Sequence, residues 1–380
     1  MFVSSKAGKY APLALPIRGV SSYVLNRNGP GWIFFRDTGK LLAQSFDEKS
    51  RTLLAAPVIL ADSVPTGPSY SASTNGVIAF RKASPNIQQL RWVSRDGRDL
   101  GALAAPGPIQ TPRISPDRQS ILYGSTPGPG IVHIMLLDVA SNSSSRVSSV
   151  ASWNPLWTPD GRILFNQFAQ DDPALIEIPA KGQKTPRTLS TRVLRPQSMS
   201  ADGQWLLSAT PIRGHQRLTI SHLDPTVQPA DLTTTHDDQK TGAISPNGRY
   251  IAYAETASGR IEVFVTPNPG EKGGKLDSGE HRQISRSGGA QPAWRGDGKE
   301  LYFLAPDGKM MAALVDSTTT PIRLGEPAPL FDTFIPYDLR ARGYDVTADG
   351  SKFLIVAPAG NPGETPITVI FNWPKLLERK

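Results

Sequence analysis

A short turn motif recurs along the whole 380-residue chain and restricts the fold more than any other feature. Each copy is a small residue, a Pro or Ala, an Asp or Asn and a Gly, followed by a burst of aromatic and β-branched side chains. It reads Ser115-Pro116-Asp117-Arg118 before Ile121-Leu122-Tyr123, Thr158-Pro159-Asp160-Gly161 before Ile163-Leu164-Phe165, and Ser200-Ala201-Asp202-Gly203 before Trp205-Leu206-Leu207. It returns at Ser245-Pro246-Asn247-Gly248, at Gly296-Asp297-Gly298 and at Thr347-Ala348-Asp349-Gly350, with a shortened copy at Asn75-Gly76. An ungapped match of 28–46 to 297–315 adds an eighth copy at Asn28-Gly29, and the two stretches end alike, in AAPVIL (55–60) and GEPAPL (325–330). The Asp/Asn positions run 28, 75, 117, 160, 202, 247, 297 and 349, in steps of 42 to 52 residues that use up the chain. A period of this size marks stacked copies of one supersecondary unit.

The motif is built for a tight bend between strands. Pro presets φ near −65°, Asp or Asn hydrogen-bonds nearby amides, and Gly takes a positive φ. A short strand precedes each bend (Pro155-Leu156-Trp157, Pro292-Ala293-Trp294), a stronger one follows, a third lies beyond (Ile131 to Leu137, Ile261 to Val265), and a weak fourth closes the unit. The bursts are apolar at adjacent positions, as sheets covered on both faces require. Helical periodicity is nearly absent, and only Lys375 to Lys380 suggests a turn of helix. The fold expected is all-β: a β-propeller of about eight, alternatively seven, four-stranded antiparallel blades over 1–380 as one domain. Its last unit offers three strands, so an N-terminal strand within 1–27, at Tyr10 to Leu15, is expected to complete the C-terminal blade (335–380) and remove exposed edges.

The Ser-Pro-Asp-Gly turns resemble the WD-repeat-like units of TolB-type propellers across nearly the whole chain, a motif specific to fold and silent on ligand. A narrower resemblance lies in GWIFFRDTGKLLAQSFD (31–47), ELYFLAPDGKMMAALV (300–315), YDVTADGSKFLIVAP (344–358) and TPITVIFNWPKLLERK (365–380). These segments are similar to the propeller region that follows the membrane span in bacterial, acidobacterial-type serine/threonine protein kinases. That resemblance implies an extracytoplasmic sensor or protein-interaction module. The kinase part is missing, because the chain has no His-Arg-Asp loop, Asp-Phe-Gly or Gly-rich ATP loop. TolB-like propellers also front prolyl-oligopeptidase-type hydrolases, but no Gly-x-Ser-x-Gly elbow occurs here.

Composition narrows the remaining chemistry. The chain holds 0 Cys, which excludes disulfides, thiolate metal sites and a cysteine nucleophile. The 5 histidines stand at no metal-binding spacing, so neither metal nor cofactor is expected. The formal charge is +8, and residues 1–190 carry the excess, 20 Lys/Arg against 12 Asp/Glu. Those cations are scattered singly with no aromatic platform between them, which argues against nucleic acid. No apolar run approaches the ~18 residues of a membrane helix, and MFVSSKAGKY lacks the apolar core of a secretory leader, so the compartment stays open.

The repeated aspartates occupy one turn copied around a ring, whereas a catalytic site needs unlike groups converging on a point. The expectation is therefore a non-catalytic protein-interaction or ligand-sensing module, with an enzyme built from loop residues at the channel mouth as the alternative. In a propeller the innermost strand of each blade lines the channel. Residues entering those strands, Arg113, Asn154, Gln197, Lys240, Gln291 and Arg342, with Trp153 and Tyr344 nearby, form a polar, cationic set at one mouth. A protein or peptide segment, or a small anionic ligand, is the expected partner, with the protein itself a monomer.

Overall fold

The computed structural model describes residues 2–4, 10–12, 21–25, 29–37, 40–62, 64, 70–81, 87–128, 131–169, 172–182, 185–191, 194–212, 215–224, 226–232, 238–257, 259–270, 281–319, 321–333, 335, 342–359 and 367–377. Of the Gly/Lys-rich segment 270–281, expected from its composition to be a loop lengthening one repeat, residues 271–280 lie outside them. The chain forms two compact units, Ile87–Gly360 on the one hand and Met1–Asn86 with Asn361–Lys380 on the other. Among the described residues there are eight sheets of three or more strands, six in the first unit and two in the second. The only helix there is Trp373–Leu377.

In Ile87–Gly360 each repeat becomes an antiparallel blade of four strands, to which blade 6 adds a fifth, the strand before the turn lying innermost. Blade 2 runs Ile109–Ile114, Ser120–Gly128, Ile131–Asp138 and Ser143–Arg146, and blade 3 runs Ser152–Trp157, Arg162–Ala169, Asp172–Pro179 and Arg187–Ser190. Blades 4, 5 and 6 begin at Arg195–Met199, Gln239–Ile244 and Ala290–Trp294 and repeat the order. Blade 1 is assembled from both ends of the unit: Tyr344–Val346 is innermost, then Lys352–Pro358, Gln88–Ser94 and Asp99–Gly107.

A separate apolar cluster fills each gap between neighbouring blades. Leu90, Ile121 and Leu354 join blades 1 and 2, and Leu122, Ile163 and Ile176 join blades 2 and 3. Leu164 with Leu206 joins 3 and 4, Leu207 with Ile251 joins 4 and 5, Ala252 with Leu301 joins 5 and 6, and Tyr302 with Phe353 closes 6 onto 1. Consecutive residues such as Ile121 and Leu122, or Leu206 and Leu207, thus face opposite neighbours. This is the physical cause of the unbroken apolar bursts, since side chains alternate between the faces of a strand and both faces are covered here. The six blades close a ring, a β-propeller.

The turn works as its composition requires. The Ser115 and Thr347 hydroxyls donate to Asp117 and Asp349 at 2.6 Å, and Ser245 donates to Asn247 at 2.7 Å. Thr158–Asp160 and Ser200–Asp202 are paired in the same way. The same oxygen accepts the amide two residues on, at 3.0 Å for Gln119 and Gln204.

The closing pair differs from the expectation. Lys352–Pro358 takes Gln88–Ser94 in unbroken register from Gln88↔Pro358 to Ser94↔Lys352. Tyr10–Pro12 instead pairs with Phe2–Ser4, and residues 13–15 lie outside the described set. The reason is burial on both faces: Leu90 faces blade 2 while Val93 faces blade 6.

The other unit holds two repeats of its own. In one, Gly31–Asp37 and Lys40–Asp47 follow Ser21–Val24, and Val58–Ala61 pairs with the third strand, Lys40–Asp47. Blade 6 has the same extra strand, Ala328–Asp332, on its own third strand, Lys309–Asp316. This is the structural content of the AAPVIL and GEPAPL likeness. In the second, Ile367–Phe371 pairs with Val77–Arg81, which pairs with Tyr70–Ala72. The indole of Trp373 packs edge-on against Phe34 at 4.9 Å within this unit's core.

Candidate binding site in the ring channel

Each innermost strand of the ring presents to the axis the residue four positions before its turn Asp or Asn. Going round, these are Asp345, Arg113, Leu156, Ser198, Ala243 and Ala293, and all six line a cavity of about 250 Å³ in the channel. The strands are held in register around it by repeated bonds between blades. The Ile114 amide donates to Asp345 Oδ2 (2.8 Å) and the Ile244 amide to Ser198 Oγ (3.1 Å). The indole N–H of Trp157 donates to the Arg113 carbonyl (3.1 Å), and that of Trp294 to the Ala243 carbonyl (3.0 Å). These bonds satisfy inner-strand groups that have no ladder partner on the channel side.

Two arginines dominate the electrostatics of the cavity. Arg113 is 8% exposed and Arg342 is 5% exposed, and both line it. Arg113 meets only carbonyl oxygens, Nε to Pro155 at 3.4 Å and Nη2 to Gln197 at 3.3 Å, both long for charge-assisted bonds. Arg342 donates from Nη2 to the Pro292 carbonyl at 2.8 Å, while its buried Nε has no hydrogen-bond partner. Burial, reinforced by the neighbouring Arg342 guanidinium, brings the Arg113 pKa down to about 9, with Asp345 and Tyr344 opposing the shift. Asp345 is the one carboxylate lining the cavity, and its oxygens accept the amides of Ile114 (2.8 Å) and Val346 (3.0 Å). Among the described residues no carboxylate forms an ion pair with either arginine.

Of the eight residues singled out from sequence, the structure brings Arg113, Gln197 and Arg342 to this cavity. Gln291 and Tyr344 instead build the contact between blades 6 and 1. The Tyr344 hydroxyl donates to the Gln291 carbonyl and the Gly343 amide to Gln291 Oε1, both at 2.7 Å. Burial pushes the Tyr344 phenol well above its ordinary value. Lys240 is paired with Asp238. Trp153 packs edge-on against Phe168 at 5.0 Å, and Asn154 sits at a bulge with φ of 55°. Asp345, Ser198 and the two indoles were missed. Counting four back from each turn Asp or Asn finds the ring of channel residues, and three back finds both indoles.

A larger groove of about 670 Å³ runs between blades 2 and 3, walled by turn residues including Asp117, Asp160 and Lys181. Its charges are answered internally: Asp117 accepts from Ser115 at 2.6 Å and pairs with Lys181 at 3.7 Å, while Asp160 accepts from Thr158. The channel cavity, by contrast, is lined by two guanidiniums and one carboxylate.

No protein-family model matches the chain, and no curated protein matches it. Among solved structures, the putative TolB from Agrobacterium tumefaciens superposes with a TM-score of 0.57 at 18% identity, covering 72% of this chain and 99% of its own. TolB from Acinetobacter baumannii gives a TM-score of 0.46 at 14% identity, over 86% of this chain and 79% of its own. The β-propeller domain of the Trilobed protease from Pyrococcus furiosus, described as having an open velcro topology, gives 0.39 at 13%, over 80% and 95%. At these identities the likeness is one of fold.

Proposed function

We propose that this protein is a binding module that recognises a protein or peptide partner through an anionic group at its channel, in the role of an interaction or sensory module of a bacterial receptor-like kinase system. One observation carries the reading: two buried guanidiniums line the channel cavity and neither has a carboxylate partner among the described residues. Uncompensated buried cations cost several kcal/mol, and a scaffold that retains two of them is stabilised when an anion arrives. The kinase association rests on the resemblance of 31–47, 300–315, 344–358 and 365–380 to those receptors' propeller regions. Affinity capture from the native host, with wild-type protein beside an Arg113→Gln, Arg342→Gln double variant, tests it. The expected result is a defined partner recovered by the wild type and lost from a folded double variant. Identical partners on both proteins would remove the channel from the account.

A further inference from the structure

The chemistry of the anion follows from the cavity itself. Its charged groups are two guanidiniums and one carboxylate, so the lining is one positive charge in excess. Asp345 is held in place, because one oxygen accepts the Ile114 amide of blade 2 and the other the Val346 amide of its own strand. Its carboxylate therefore stays beside any ligand, and a second negative charge on the ligand would meet it across a poorly screened gap. The donors are planar: Arg342 keeps an unbonded Nε, and the carbonyl bonds of Arg113 at 3.3 and 3.4 Å are long enough to be exchanged for better ones. A guanidinium fork matches a planar carboxylate and binds it bidentately. Around the charges stand Leu156, Ala243 and Ala293 with the walls of Trp157 and Trp294, a collar that is apolar apart from Gln197 and Ser198. The volume of about 250 Å³ falls below the usual ~300–1,000 Å³ of ligand pockets, which leaves room for a few heavy atoms only.

We propose that the channel cavity takes a singly charged carboxylate on a small apolar stem, the carboxylate against Arg113 and Arg342 and the stem against the collar. This rests on the channel being the binding site, as proposed above. A free short-chain acid and the C-terminal residue of a peptide share that chemistry.

Calorimetric titration of the intact chain with isobutyrate, N-acetylalanine, N-acetylalanine amide and inorganic phosphate tests the assignment. Both carboxylates are expected to bind, the amide at least tenfold more weakly, and phosphate more weakly than either. Tighter binding of N-acetylalanine identifies a chain terminus as the source, and tighter binding of isobutyrate a free acid. Arg342→Gln is expected to abolish carboxylate binding while its circular dichroism stays that of the wild type. Should it not fold, Arg342→Lys and Arg113→Lys keep the charge, lose the fork, and are expected to bind at least tenfold more weakly. Equal binding of acid and amide, preference for phosphate, no heat from either carboxylate, or an unchanged titration in the folded arginine variants would each overturn it. If the carboxylates fail while partner capture still depends on the arginines, the carboxylate assignment falls and the channel reading stands. If neither depends on them, both fall.

Discussion

Gly296 occupies the position where most copies of the turn carry Pro or Ala. A consensus argument would replace it and expect a gain. The structure says the opposite, because its amide donates to the Ala348 carbonyl at 2.8 Å and ties the turn of blade 6 to that of blade 1. An added Cβ would lie 2.7 Å from both Ala348 Cβ and its carbonyl oxygen. Gly296→Ala is expected to cost about 1–3 kcal/mol, and Gly296→Pro, which also removes the donor, more, read from denaturant unfolding midpoints. Arg95 secures the same junction. It grips Glu300 through two bonds of 2.7 and 2.9 Å and donates to the Tyr302 hydroxyl at 2.9 Å, while Arg295 reaches Glu300 at 3.0 Å. Burial pushes the Glu300 carboxyl upward, but Arg95, Tyr302 and Arg295 hold it net below its ordinary 4.5. Asp297, bonded by Arg295, lies at about 2. Depressed carboxyls contribute stability above their unfolded pKa and lose it as pH falls through the folded one. Acid unfolding should therefore begin below about pH 4.5 and sharpen toward pH 2. Arg95→Ala removes the strongest restraint on Glu300, so its acid transition, followed by tryptophan fluorescence, should move to higher pH. Its neutral-pH stability should fall by about 1–2 kcal/mol, since Arg95 is part-exposed and Arg295 remains. An acid transition unchanged in the variant would show that Arg295 alone sets the Glu300 charge.

At the scale of the element, the innermost strands share a defect that the repeat alone did not disclose. The pairing register slips at Gln110/Arg113, Trp153/Leu156, Pro196/Ser198, Gln239/Gly242 and Ala290/Ala293, so blades 2 to 6 each carry a bulge near the start of the channel strand. Thr111, Asn154 and Gln291 take positive φ there, at 49°, 55° and 57°. Asn enters that region readily, whereas a β-branched residue such as Thr111 does so at a cost. Asn154→Val is accordingly expected to lose about 1–2 kcal/mol in thermal unfolding while Asn154→Gly loses little. A variant pair of equal stability would contradict the bulge. The strands, their order in each blade and the two-faced burial were legible, because the turn motif and the adjacent apolar residues follow directly from them. The bulge was hidden because the residues that take it, Thr, Asn and Gln, differ from blade to blade. What the sequence does show is a proline directly after each, Pro112, Pro155 and Pro292, and proline inside a strand is at home only at an edge or a bulge. Missing it put Asn154 and Gln291 among the channel residues by their place in the strand, and left out Asp345, four before its turn.

For the molecule as a whole, eight turns gave eight sheets, but the count of turns carried no information about where the ring shuts. Shutting is decided by which strand can bury apolar groups on both faces of blade 1, and Gln88–Ser94 does so through Leu90 and Val93. Ile87–Gly360 contains every strand of the six-bladed ring, and expressed by itself it is expected to melt in one cooperative step. The same piece ended before Lys352 should not, which scanning calorimetry would show directly. Synthesis runs from the N-terminus, so Gln88–Ser94 leaves the ribosome more than 250 residues ahead of its partner Lys352–Pro358. At about 5–20 residues per second the wait is roughly 13–50 seconds, with one strand of blade 1 lacking its inner neighbour throughout. Val77–Arg81 waits longer still, for Ile367–Phe371. A nascent chain of this design is thus most open to chaperones, and to mispairing with its neighbours on a polysome, until Lys352–Pro358 and Ile367–Phe371 emerge.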